Sequence, residues 1–243
     1  MGNLSGLSRV FHRLRPDIGR CCALLAAACC ATAGALAQTP DYAKAALAHF
    51  DPNPPVGWAY TLETSRNSQT MAEHFDPSRP PGGQWTLRQL QGRSPTSEEL
   101  EKYAQSRPAA GSGGTQANFQ KNDIEPGSLK LLEENETSAT FSATFREQSS
   151  GADKMLSHLH VTLMVNKQSA YVERYILELT DPYWPVLGVK MNQLRIEACF
   201  SAPGGESPSL PISLESHFTG RILLFTNEEN LRLTYSEFKP APR

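Results

Sequence analysis

The chain has 243 residues and a formal net charge of −2, its 23 basic residues nearly balancing 25 acidic ones. That balance excludes a strongly basic nucleic-acid binder, because affinity for a phosphate backbone rests on an excess of positive charge. The length accommodates one large β domain or two small ones, so the elements themselves must decide.

The first residues carry Arg9, Arg13, Arg15 and Arg20, and residues 21–36 are then apolar and rich in alanine. This run is shorter than the roughly 20 residues a helix needs to span a bilayer. It closes on Ala35-Leu36-Ala37-Gln38, small side chains in A-x-A order. The pattern is that of a secretory signal peptide cut between Ala37 and Gln38, so residues 1–37 are expected to be a leader and 38–243 one β-rich domain exported to the periplasm. Lipidation at Cys29 is the competing reading, but the branched residue usual three positions upstream is missing. Losing the leader removes four arginines and one acid, Asp17, and makes the chain more acidic. No second apolar run reaches span length, so no membrane span is expected in the mature chain. Cys21, Cys22, Cys29 and Cys30 lie in the leader, which leaves Cys199 without an internal disulfide partner and reads it as a small buried hydrophobe.

Thr39-Pro40-Asp41 is a helix start, with Thr39 as the cap and Pro40 in the first turn. Tyr42, Ala46, Leu47 and Phe50 then share a face that needs a sheet to cover, and the prolines of residues 52–55 end the helix. Residues 57–65 alternate, with Trp58, Tyr60 and Leu62 pointing one way. Residues 70–75 and 84–91 are the next strands, the latter with Trp85 and Leu87 on one face. Thr96 and Glu99 form a capping box that opens a second helix to about Ser106. Residues 107–122 are rich in Gly, Ala, Ser and Gln and are expected to be a flexible loop.

Beyond it, strands are expected at 128–134 and 137–147, the second with Phe141, Ala143 and Phe145 alternating against threonine and serine. Residues 155–166 and 170–180 follow. A proline-bracketed loop containing Trp184 leads to a strand at 188–200. Strands at 210–219 and 221–226, a turn at 227–230 and a last strand at 231–238 complete the count. About ten strands, mostly neighbours in sequence, predict a mainly β (α+β) fold: a single antiparallel curved sheet or half-barrel with two covering helices.

Catalytic signatures are absent: there is no nucleophile elbow, no H-E-x-x-H, no phosphate-cradling glycine loop and no zinc-type cysteine pair. No enzyme activity and no cofactor are expected. His158 and His160 sit two apart on an expected strand, a usable metal geometry, but their face is the polar one and no third ligand stands at diagnostic spacing; no metal is expected. The aromatic residues carry more. Trp58, Tyr60, Leu62, Trp85, Leu87, Phe141, Phe145, Tyr175 and Trp184 are the candidate apolar lining of an unclosed β-barrel, against the plainer reading of a packed core.

The run from Val165 to Val172, the segment Pro185-Val-Leu-Gly-Val-Lys-Met191 and the ending Leu231-Arg-Leu-Thr-Tyr-Ser-Glu-Phe238 resemble the late strands of the LolA/LolB-like periplasmic lipoprotein-carrier superfamily. The resemblance implies a half-barrel that holds a lipid or a lipoprotein acyl chain. The alternative is an envelope protein that acts through protein contacts with no bound ligand.

Overall fold

In the computed structural model, which describes residues 39–106, 121–146, 151–205 and 207–241, the alternating segments form eleven antiparallel strands of one unclosed sheet. The leader with its Ala37–Gln38 cut, Cys29 and most of the 107–122 loop lie outside the described residues. The strands are β1 (Trp58–Arg66), β2 (Gln69–Phe75), β3 (Trp85–Leu90), β4 (Lys130–Glu134), β5 (Ser138–Thr144), β6 (Leu159–Asn166), β7 (Tyr171–Leu179), β8 (Tyr183–Val186), β9 (Val189–Phe200), β10 (Pro211–Ile222) and β11 (Phe225–Pro240). Their spatial order is β3-β2-β1-β11-β10-β9-β7-β6-β5-β4, with β8 folded back on β9. The last strand thus closes against the first, and β3 and β4 are left as edges.

Cross-strand partners share a face, so the registers trace the inner surface. One row runs Leu131–Phe141–Leu163–Tyr175–Ala198–Leu214–Leu233–Thr64–Met71–Leu90, from one edge to the other. In β6 the alternation is complete: Leu159, Val161, Leu163 and Val165 are buried and their neighbours half-exposed. Burial pushes the Tyr175 phenol well above its ordinary value, and Tyr235 of β11 adds to the shift. These side chains come from strands separated by β9 and β10.

Helix α1 (Asp41–His49) covers one half of that face, burying Ala43 and Ala46 against β6 and β7. Phe50 meets the rings of Tyr175 and Phe200 edge-on at 6.0 and 5.5 Å. Pro40, not Thr39, is the cap: its carbonyl accepts from the N–H groups of Ala43 and Lys44, and no side chain caps the helix. Helix α2 (Ser97–Ser106) buries none of its residues. Its start carries the expected capping box, Thr96 N donating to Glu99 Oε2 at 2.8 Å and Glu99 N to Thr96 Oγ1 at 3.3 Å. Arg93 adds a fork of two bonds to the same carboxylate, at 2.9 and 2.6 Å.

Those bonds, led by Arg93, hold the Glu99 carboxyl at about 2. A folded-state value depressed below the unfolded one contributes stability at pH above the ordinary carboxylate range, and loses it as pH falls through about 2. A carbon NMR titration of the Glu99 carboxyl is expected to show its midpoint near 2; an ordinary carboxylate midpoint would mean that the fork does not persist in solution.

Several boundaries differ from the sequence reading. Residues 151–158 form a 3-10 helix, so His158 precedes β6 and does not share a strand with His160; its ring stacks on Tyr183 at 4.2 Å. The proline-bracketed loop is instead the short strand β8, paired with β9. The turn expected at 227–230 is part of β11: Asn230 lies opposite His217, and His217 Nδ1 is 2.8 Å from Asn230 Oδ1. The chain reverses at Leu223-Leu224. Asparagines favour turns locally, but here continuous pairing with β10 fixes the register and overrides them.

Candidate functional site

The half of the inner face not covered by α1 belongs to β1, β2, β3 and β11, and three successive layers of side chains can be read along these strands. At one end Tyr60, Phe75 and Trp85 are direct neighbours across the sheet. Tyr60 lies 5.2 Å from Phe75, 5.8 Å from Trp85 and 5.5 Å from Phe238, so these rings fill one another's space. The middle layer is the cross-strand row Tyr235–Leu62–Glu73–Leu87. Beyond it the face opens into a cavity of about 300 Å³ walled by Leu62, Thr64, Met71, Glu73, Leu90, Leu231 and Leu233, with the exposed Arg66 and Gln69 also lining it.

Glu73 is the unexpected member. It stands at an inner-face position between Leu62 and Leu87, only 1 % exposed. Burying a carboxyl group is costly without hydrogen bonds, and the Tyr103 hydroxyl of α2 donates one to Glu73 Oε1 at 2.6 Å. The same bond ties α2 to the β2 side of the cavity. The cavity is therefore largely apolar along its walls, carries one buried carboxyl, and has two side-chain amides, Gln69 and Gln91, and the Glu229-paired guanidinium of Arg66 on its lining.

Two other hollows are of a different kind. Two clefts of about 330 and 370 Å³ lie on the outer face. They are lined by charges already paired, such as Arg232 with Glu215 at 2.8 Å and Arg195 with Glu197 at 3.0 Å. Paired charges of this sort are the ordinary solvent side of a sheet. A fourth hollow of about 290 Å³ lies between the end of α1, the β6–β7 turn and Pro203 and Pro208. Among the described residues no group of three His, Cys, Asp or Glu side chains could hold a metal ion. Outer-face His74 shares Thr61 with Glu237: Thr61 Oγ1 lies 3.2 Å from His74 Nδ1 and donates to Glu237 Oε2 at 2.6 Å.

The residues chosen from sequence fall in four places. Leu62 borders the cavity, and Leu87 is buried in the row beneath it. Tyr60 and Trp85 belong to the ring cluster, and Trp58 is half-buried at the start of β1. Phe141, Phe145 and Tyr175 are buried in the core that α1 covers. Trp184 is 60 % exposed on β8, with Lys190 Nζ 5.0 Å above its ring. Of the cavity lining the sequence reading named Leu62 alone; Met71, Glu73, Leu90, Leu231 and Leu233 are among those it missed. The available signal was the phase of β2, where Met71, Glu73 and Phe75 share one side.

No protein-family model matches the chain, and no curated protein matches it. Among solved structures it is similar to the crystal structure of a LolA superfamily protein from Nitrosomonas europaea. The likeness covers 83 % of this chain and 93 % of that one, at 11 % identity and a TM-score of 0.36.

Proposed function

We propose that this protein holds one acyl chain, or an apolar group of similar width, in the cavity between β1, β2, β3 and β11. The observation that carries the reading is the unfilled 300 Å³ of inner face bordered by Leu62, Met71, Leu90, Leu231 and Leu233. That volume is at the low end of the range for small-molecule sites, which favours a slender guest over a bulky one. Leu62, Met71, Leu90, Leu231 and Leu233 supply the apolar contact. Gln69 would meet a polar head group at the rim, beside Arg66, which Glu229 already pairs at 3.6 Å. The leader-like residues 1–37 support the further reading that the protein works as an exported carrier in the periplasm, passing such a group between envelope partners.

The test is uptake of a fluorescent fatty acid, with native mass spectrometry of the protein purified from its own host. Wild-type chain is expected to bind, and to carry lipid at a mass that begins at Gln38. Met71 is half-buried at the cavity wall, so Met71→Trp fills the space without opening the core. It is expected to weaken uptake by at least about tenfold with the circular dichroism spectrum unchanged. Equal uptake by Met71→Trp removes this cavity from consideration. A clean apo mass with no uptake at all favours the second reading, protein contacts alone, which the solid packing of Phe50 on Tyr175 and Phe200 supports.

A further inference from the structure

Beyond the edge of the half-barrel, β8, β9, β10 and β11 continue as a flap. The pairing of β1 with β11 stops at Arg66 opposite Leu231, Asn67 still bonds Asn230, and β11 then runs on with β10 through residues 225–229. At the usual rise per residue that extension is on the order of 20 Å. Its end consists of two hairpin tips side by side: Ile222 lies opposite Val189, and Leu223 N donates to Gly188 O at 2.6 Å.

Those tips are apolar where tips are ordinarily polar. Val186 and Leu187 form one, and Leu223, Leu224 and Phe225 the other; Leu187 is wholly exposed, Leu224 84 % and Phe225 76 %. Two-residue hairpin turns prefer Asn, Asp or Gly because of the positive φ they require. Here Leu223 occupies φ +55°, a strained choice for a leucine. A cluster of large exposed hydrophobes on a protruding element marks a surface that meets something apolar.

The charges next to it identify what. Lys190 and Arg221 stand directly opposite each other across β9 and β10. Like charges in that arrangement repel, and among the described residues neither has a carboxylate within salt-bridge reach. Further along the same sheet Arg174, Arg195 and Arg232 are all paired with acids. Trp184, whose ring lies under the Lys190 ammonium, completes an aromatic and cationic collar behind the apolar tips. Apolar side chains in front, with tryptophan and lysine behind, match the order of a bilayer boundary: acyl chains first, then phosphates.

We infer that the flap is a membrane-docking device: its two tips enter the surface of an anionic lipid bilayer, and Lys190 and Arg221 bind the phosphate groups. The inference is independent of the cavity reading, since no tip residue lines that cavity. The full mature chain is tested by co-sedimentation with vesicles of phosphatidylcholine alone and of phosphatidylcholine mixed with phosphatidylglycerol. Binding is expected to the mixed vesicles and to be weaker on the neutral ones. The double variant Leu223→Asp/Leu224→Asp should lower it by at least about tenfold, and Lys190→Glu/Arg221→Glu should erase the preference for anionic lipid. All four side chains are at or near the surface, so melting temperature should hold; Met71→Trp should dock like wild type. Failure of the wild-type chain to sediment with either vesicle overturns the proposal. So does undiminished binding by Leu223→Asp/Leu224→Asp. A dimer seen by light scattering that this variant dissolves, with no vesicle binding, would show that the tips cover a second copy instead.

Discussion

Phe141→Ala is expected to cost about 3–5 kcal/mol of stability in urea denaturation. Phe141 is 1 % exposed and sits in the row that crosses the whole inner face, between Leu131 on β4 and Leu163 on β6. Tyr42 of α1 packs on it at 6.2 Å, so truncation opens a void against the helix as well as within the sheet. That helix has few other ties at its start: the Tyr42 hydroxyl donates to Glu134, and Lys167 binds Glu134 at 2.7 Å. Both contacts are exposed and contribute little. The loss at Phe141 should therefore appear as global unfolding at lower urea, with α1 detaching together with the sheet. Leu131→Ala is the control, since Leu131 is on the edge strand and half-exposed; it should cost within about 0.5 kcal/mol. A small effect at Phe141 would mean that α1 does not seal this half, and that the interior is emptier than its geometry.

The fold class was legible because burial on one side of a strand leaves a period-two record. Leu159 to Val165 alternate without a break, and each of these side chains is buried as its phase requires. The capping box was legible too, because its two bonds join residues three apart. What failed had its cause elsewhere in the chain. Asn227 and Asn230 read as a turn until β10 is laid beside them. Trp184, bracketed by prolines, read as a loop residue pointing inward; pairing of Tyr183 with Met191 makes its segment a strand whose ring lies outside. The candidate lining divides in the same way. Period two tells which side chains face in, but not which of them another element then covers. Phe50 from α1 fills the space before Tyr175, and nothing in β7 announces it.

Glu73 is the clearest case, because its setting depends on a residue 30 positions away. Tyr103→Phe is expected to cost about 1–3 kcal/mol, the usual loss when a buried polar group gives up a hydrogen-bond partner. The effect should reach further than stability. With none of its residues buried, α2 stays near the cavity through the Tyr103–Glu73 bond at one end and the Arg93–Glu99 fork at the other. Amide exchange across residues 97–106 should therefore quicken in Tyr103→Phe well beyond the change in global stability. The double variant Glu73→Leu/Tyr103→Phe separates the two consequences. Leucine at 73 sits between Leu62 and Leu87 on an apolar face, and replacing both members of this bond by apolar groups costs less than leaving one of them unpaired. Stability should rise above that of Tyr103→Phe, while α2 still exchanges fast. Recovery of slow exchange together with stability would show that α2 is held by apolar contact and that the carboxyl serves the cavity alone. Recovery of neither would show that Glu73 holds the sheet itself, and α2 would then have no part in covering a guest.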